Sequence, residues 1–470
     1  MFSSLRLYFS PIVKRNEELR LLQIFKPLYI VLSFLGLIPC SIEFPQGNVD
    51  CVILHKSAFN HSCCAFLTLL LVYVFFGLHV YEVLTSREEN ALADDQMAKA
   101  NYIIELVTQF TFCNATYFCA FRYKDIYVSI LKEITRSWDD LPYVNRGIIL
   151  GRIRVRVNCG VIGSICLILL TLTAVTYAGS SSLWKRILIT ISFNLPEMIQ
   201  FILIAFYYVL VLMVEAILKN IEDHCRMFMK ARRSIKNSSS KVELGRIPIT
   251  LSQMQCVYVN ALRVKRQINA VFQAPIMFSL LQCFHTMVSE SYDICQGLLY
   301  QDNFTTHNLI ECSYWVLLQL LKIYALARSG SLLKAEALAI GRTIHNIRSD
   351  DDDIKLFIEI QHFSTLMTFQ GTEITIFGYF PLEAPLMFNF ESGRSWRGCT
   401  GRAHAGAIVG KIRRTRLRQL ALLILFFVHP LIRSVQPRKP ADYLRMNPDL
   451  TVVAAAAMYL IILVQFAKTR

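Results

Sequence analysis

"PLYIVLSFLGLIPCSI", residues 27–42, is the stretch whose reading decides the fold. It is apolar, yet Pro27 and Pro39 stand near its edges. It is also short of the roughly 20 residues that a helix needs to cross a hydrocarbon core. Seven longer apolar runs follow, near 63–84, 101–121, 157–178, 197–218, 272–298, 309–328 and 450–467. If 27–43 crosses, the chain spans a membrane eight times and both ends lie on one side. If it only dips in and returns, there are seven crossings and the ends lie on opposite sides.

The loops arbitrate. With 63–84 as the first crossing, the loops 122–156 and 219–271 share one face and carry eight and eleven basic residues, including "GRIRVR", "KARRSIK" and "RVKR". The opposite face receives the acidic "TSREENALADDQMAKA" (85–100) and the glycosylation sequon Asn303-Phe304-Thr305. Cytoplasmic loops collect Lys and Arg, so this arrangement is favoured, whereas an eighth crossing would put "RYKDIYVSILKEITR" outside. The expected fold is an all-α membrane protein of seven transmembrane helices, with an intracellular N-terminus, an extracellular C-terminus and a re-entrant N-terminal segment.

Composition agrees. The chain is 54% hydrophobic and only 18% charged, against about a quarter charged in soluble proteins. Its net charge of +15 sits in loops between apolar spans, which suits a membrane face and excludes nucleic acid as a partner. The basic N-terminus, interrupted by Pro11 and Lys14, predicts no cleavable signal. Fourteen scattered cysteines show no metal-ligand spacing. Cys295 and Cys312 flank one outer loop, where either a disulfide or two free thiols would fit. His224, His285, His307, His345 and His362 fall at unrelated spacings, and Asp350–Asp353 lacks the spaced ligands and glycine of a calcium loop. No catalytic constellation, metal site or cofactor motif is expected, so the chain does not read as an enzyme.

The last apolar run contains "MYLIILVQF", Met458–Phe466. Tyr459, five residues, then Gln465-Phe466 resembles the threonine-tyrosine-x5-glutamine-phenylalanine signature in the final helix of insect gustatory receptors, with Met458 at the threonine position. "FSTLMTFQGTEITIFGYFPLEAPLMF" (363–388) resembles the family's approach to that helix through Gly378-Tyr379-Phe380 and Leu382, and "LGLIPC" resembles its re-entrant segment. The resemblance implies a plasma-membrane, ligand-gated, non-selective cation channel that detects small-molecule tastants of bitter or orphan type. It also implies a homo- or hetero-tetramer in the lipid bilayer.

In such receptors four final helices surround the pore. The matched positions make Ile462 the gate and Gln465 the lining, with Tyr459 and Phe466 beside them. Ile462 and Gln465 share a helix face at i, i+3. A ring of branched apolar side chains closes a pore by dewetting, and amide oxygens meet a hydrated cation. A hydrogen bond from Gln465 to a neighbouring helix is the competing reading. The family's ligand pocket lies toward the outside among the second to sixth spans, where Gln109, Tyr177, His285, Tyr292, Tyr314 and Trp315 are the candidates by depth. An odorant receptor of the same fold is the nearest alternative. A secondary transporter would want inverted repeats with broken helices, which the two halves of the chain do not display.

The expected organisation is therefore a cytoplasmic and re-entrant segment (1–62), six helices (63–328), a cytoplasmic helical region (329–390) and the last helix (450–470). Residues 391–449 interrupt it, beginning "ESGRSWRGCTGRAHAGAIVGKIRRTRLRQ" and rich in Arg, Gly and Ala. Gly378 and Tyr459 are 81 residues apart as a result, although the family runs directly from one to the other. The insertion reads as foreign to the fold, a retained intron or gene-model error, with a genuine long loop as the alternative.

Overall fold

The computed structural model describes residues 21–38, 40–42, 54–55, 58–85, 96–141, 149–160, 163, 184, 187–188, 190–237, 250–300, 306–347, 354–371, 373–377 and 380–382. Eight α-helices dominate them: α1 (Leu21–Phe34), α2 (Ala58–Thr85), α3 (Gln96–Arg122), α4 (Lys124–Asp139), α5 (Leu195–Asn237), α6 (Leu251–Tyr300), α7 (Thr306–His345) and α8 (Ile354–Phe369). A further helical stretch covers 149–160. Two hairpins of two-residue strands complete the list, β1 (Ser41–Ile42) with β2 (Leu54–His55) and β3 (Thr375–Ile376) with β4 (Phe380–Pro381), both antiparallel.

Helix α1 stops short of crossing. Its 14 residues rise about 21 Å at 1.5 Å each, against a core of about 30 Å. A Schellman motif ends it: Leu37 N donates to Leu32 O at 2.8 Å, Gly36 N donates to Ser33 O at 3.1 Å, and Gly36 takes φ +67°. The turn is pressed against α2, where a Cβ on Gly36 would lie 2.3 Å from the Ala65 nitrogen. The Tyr117 hydroxyl donates to Leu35 O at 2.8 Å and fastens the turn to α3. The chain then reverses through β1 and β2. The "dips and returns" reading of 27–43 is the fold observed.

Four described helices are long and apolar enough to cross: Ser62–Glu82, Thr190–Ala231, Leu251–Ile294 and Asn308–His345. Helix α2 turns Phe66, Leu67, Leu70 and Tyr81 outward, a surface suited to lipid. Helix α5 lies at the centre, packed on α6 and α7, while α3 lies along α6. An aromatic knot joins four helices. Phe206 stacks on Phe25 (5.6 Å between centroids) and on Tyr127 (5.9 Å), and Phe272 meets Phe206 edge-on at 5.3 Å.

The structure corrects the sequence reading of both basic loops: much of 122–156 is helix, in α4 and in the stretch that begins at 149. Most of 219–271, expected as loop, is helix, because α5 runs on to Asn237 and α6 begins at Leu251. Charged residues one turn apart support these extensions: Glu222 pairs with Lys219 and Arg226, and Lys219 reaches Glu336 on α7 at 3.7 Å. A capping box opens α6, in which Gln253 N donates to Thr250 Oγ1 (3.3 Å) and Thr250 N donates to Gln253 Oε1 (3.1 Å).

After α8 the chain folds into the β3–β4 hairpin, held from three sides. Lys265 Nζ donates to Gly371 O (2.8 Å) and Glu373 O (2.6 Å), and Asn269 Nδ2 donates to Thr375 O at 2.7 Å. Lys334 pairs with Glu373 at 3.0 Å. Gly330 on α7 lets Leu382 pass, since a Cβ there would sit 1.6 Å from the Leu382 carbonyl oxygen. Gly330→Ala is therefore expected to lose about 1–3 kcal/mol through overpacking and to lower both surface expression and the melting midpoint in detergent. Gly77→Ala is the control, because nothing lies within 4 Å of its added Cβ. Its removal of a helix-interior glycine should be neutral or stabilising by up to about 1 kcal/mol. Equal loss from both would refute the close approach as the cause.

Candidate functional site

Ionisable side chains inside apolar spans are expensive and mark function. The described residues place a connected set of them between α5, α6 and α7. Lys322 on α7 is fully buried and pairs with Glu197 on α5. Its ammonium also donates to Gln200 Oε1 at 2.5 Å and Gln319 Oε1 at 3.1 Å, so all three N–H groups have acceptors. Gln319 Nε2 donates to Glu197 Oε1 at 2.8 Å, and Gln282 Nε2 on α6 donates to Glu197 Oε2 at 3.3 Å. Gln200 Nε2 donates to Ser279 Oγ (2.8 Å) and Ser279 O (3.1 Å).

Local structure explains how these groups meet. Just before α5 the chain makes a π-helical turn, Thr190–Asn194, and Pro196 occupies the first turn of α5, where its missing N–H is harmless. Glu197 and Gln200 follow at i, i+3 and share a face, as Gln319 and Lys322 do on α7. One turn beyond Gln282 on α6, Thr286 Oγ1 donates to Glu105 Oε1 on α3 at 3.3 Å. The seam therefore crosses four helices.

The residues expected to touch ligand are distributed around it. Gln109 is buried on α3, one turn from Glu105, and its Oε1 has no hydrogen-bond partner among the described residues. His285 Nε2 meets the Asn101 carbonyl at 3.3 Å and helps dock α6 on α3. Tyr292 is buried on α6. Tyr314 and Trp315 are half-buried on α7 with their rings edge-on, 5.8 Å apart. Gln109 and His285 thus meet the α3–α6 contact beside the seam, while Tyr314 and Trp315 pair with one another. Cys312 is a free thiol hydrogen-bonded to Glu290. Tyr177, Asn303, Tyr459, Ile462, Gln465, Phe466 and the segment 391–449 lie outside the described residues.

Glu105, Glu197, Gln200, Gln282, Gln319 and Lys322 were not among the expected site residues. Their signal was in the sequence, as Glu, Lys and Gln inside runs read as spans. Amphipathic aromatics at similar depth, which make up most of the expected set, do not mark the seam. Among the described residues no group of three or more His, Cys, Asp or Glu is placed to hold a metal ion. A shallow groove between α6 and α8, lined by Gln255, Arg263, Glu359 and His362, lies beyond the apolar run.

This architecture has counterparts. The olfactory receptor OR5 of Machilis hrabei is similar in structure, with a TM-score of 0.55 at 13% identity over 88% of this chain and 98% of that one. The same receptor in complex with eugenol is similar with a TM-score of 0.50, also at 13% identity, over 86% and 98%. No curated protein matches the chain in sequence. Residues 25–392 match the 7tm chemosensory receptor family. The chain belongs to that family of multi-pass membrane receptors.

Removing one partner of a buried ion pair leaves the other uncompensated, typically at about 3–5 kcal/mol. Lys322→Met should therefore lower the unfolding midpoint of purified receptor strongly. Glu197→Gln with Lys322→Met should regain much of that loss. Additive losses in the double-mutant cycle would show that the two charges are not coupled.

Proposed function

We propose that the chain is a gustatory receptor, a ligand-gated, non-selective cation channel of the plasma membrane that answers small-molecule tastants of bitter or orphan type. It would assemble as a homo- or hetero-tetramer with other gustatory receptors. Membership of the chemosensory family supports the coarse reading. The Tyr459–Phe466 signature supports the gustatory subtype. The observation that carries ligand gating is the buried seam, because polar groups of four helices converge where apolar packing would otherwise be expected.

The proposed mechanism follows from continuity. Helices α6 and α7 run unbroken from the seam to the residues that hold the β3–β4 hairpin, Lys265 and Lys334. Pro275 lies between the two ends of α6, where it removes a backbone hydrogen bond and eases bending. A ligand that binds one arrangement of these helices better than another shifts their population. The hairpin passes that shift to the chain beyond Leu382 and so to the last span. There Ile462 is the proposed gate and Gln465 the proposed lining, with Tyr459 and Phe466 alongside.

Patch recordings test the pore. Ile462→Ala should raise resting leak and Gln465→Ala should change relative cation permeability, both at normal surface expression. Unchanged conductance in both would remove the assignment. The family match ends at residue 392, and the Arg-, Gly- and Ala-rich segment begins beside it. We therefore expect a chain lacking 391–449 to reach the surface and respond better than the full-length form. Abundant transcript carrying those codons, with equal responses from both forms, would make the segment a genuine loop.

A further inference from the structure

We propose that the α3–α6 end of the seam recognises a protonated amine with an apolar body, held by Glu105. The inference deepens the reading of the chain as a chemoreceptor, and only its electrical readout rests on the channel assignment.

The argument is one of unmatched acceptors. Lys322 commits its three donors to Glu197, Gln200 and Gln319. Among the described residues the Glu105 carboxylate receives one hydrogen bond, from Thr286, and has no ion-pair partner. Two further acceptors stand beside it without donors. Gln282 is wholly buried and Gln109 nearly so, and the Oε1 of each lacks a hydrogen bond among the described residues. Helices α3 and α6 run antiparallel in the seven-crossing fold, and Glu105 faces Thr286. One turn further along each helix, that register sets Gln109 level with Gln282. A carboxylate and two amide oxygens therefore line one stretch of the contact. Leaving such acceptors buried and unpaired carries their desolvation cost, so the site favours a ligand rich in donors.

Charge narrows the class. Glu105 lies within electrostatic reach of Glu197, Asp293 and Lys322, and Glu290 within reach of Glu105, Asp293 and Glu311. Four other carboxylates thus surround or adjoin Glu105, against one lysine already paired with Glu197. The local field draws cations. An ammonium supplies three N–H donors and a positive charge together, and charge-assisted bonds are about twice as strong as neutral ones. Aromatic rings stand nearby. Tyr102, one turn from Glu105, lies 5.2 Å from Phe193 between ring centroids. Such faces suit a cation with an apolar body. A bare metal ion is less well served, since a carboxylate and two amide oxygens supply at most four of the six or more oxygens that hard cations gather.

The test uses the full chain, purified in detergent and expressed in cells. The probes are 2-phenylethylammonium and cyclohexylammonium chlorides, their neutral alcohol counterparts, and sodium chloride at equal concentration. The ammonium salts should raise the unfolding midpoint at pH 7 while the alcohols and sodium chloride leave it unmoved. Glu105→Gln should raise the half-saturating amine concentration at least about tenfold, Glu105→Asp should restore most of the affinity, and Gln109→Leu should weaken binding about three- to tenfold. The same order should hold for amine-evoked current. Stabilisation by the alcohols or sodium equal to that by the amines would overturn the proposal. So would amines that leave the wild type unmoved, or an amine affinity unchanged in Glu105→Gln. Amine stabilisation that depends on Glu105 but evokes no current would uphold the site and overturn the channel reading.

Discussion

An ammonium group buried within a membrane bundle dictates what must surround it. Taking a charge out of water costs several kcal/mol even after relaxation, and a counter-charge offsets this only with good geometry and no idle donors. Lys322 meets both conditions. Its three hydrogens reach Glu197, Gln200 and Gln319, and Glu197 accepts from three side chains on two other helices. Those bonds have directions and lengths, unlike the apolar packing around them. Sliding α7 by one residue along α5 would strip the ammonium of its acceptors, so the ion pair sets the register of the bundle. Hydrocarbon contacts alone would tolerate the slip.

From that fixed point the architecture extends along the three long helices, away from the apolar region. Helices α5, α6 and α7 have 43, 50 and 40 residues, well beyond the roughly 20 that span a bilayer. Their far ends leave the apolar region and acquire their own polar fastenings. Lys265 and Asn269 on α6, with Lys334 on α7, hold the hairpin that leads out of α8. Gly330 allows the chain to cross α7 at backbone contact. A long helix fixed at both ends transmits displacement between them, whereas a helix ending at the membrane surface would dissipate it in a loop. This continuity supports the coupling proposed above, which itself requires an element with two arrangements that both ends bias.

Much of this was legible in the sequence where a local rule carried it. Loop charges separated seven crossings from eight, and the reason 27–43 does not cross is visible in Gly36, which ends α1 in a left-handed turn. The Thr250–Gln253 capping box is likewise a pattern of four residues. Legibility failed where partners are tertiary. The charges past 218 have a local signal as well, because Lys219 and Glu222 at i, i+3 and Glu222 and Arg226 at i, i+4 make a helix face that charge density alone does not reveal. Glu105, Glu197 and Lys322 stood in plain view inside the spans, but nothing local says which carboxylate meets the lysine. That choice depends on helix order and depth, and these exist only in the folded bundle.

The same pairing explains why one end of the seam has its donors and acceptors matched and the other does not. Around Lys322 the network is nearly closed: donors and acceptors match, and a newcomer would have to displace a bond for each one it makes. At the α3–α6 end, Glu105, Gln109 and Gln282 present acceptors in excess of donors. A donor arriving there gains interactions that the free protein lacks. The gain exists only while α3 stays against α6, because the acceptors come from both helices. Binding energy at such a place is differential by construction, larger in the arrangement that brings the two helices together than in one that parts them. Differential affinity is the one property a ligand must have to shift a conformational equilibrium. A seam satisfied at one end and acceptor-rich at the other supplies both a fixed frame and a place where that difference arises.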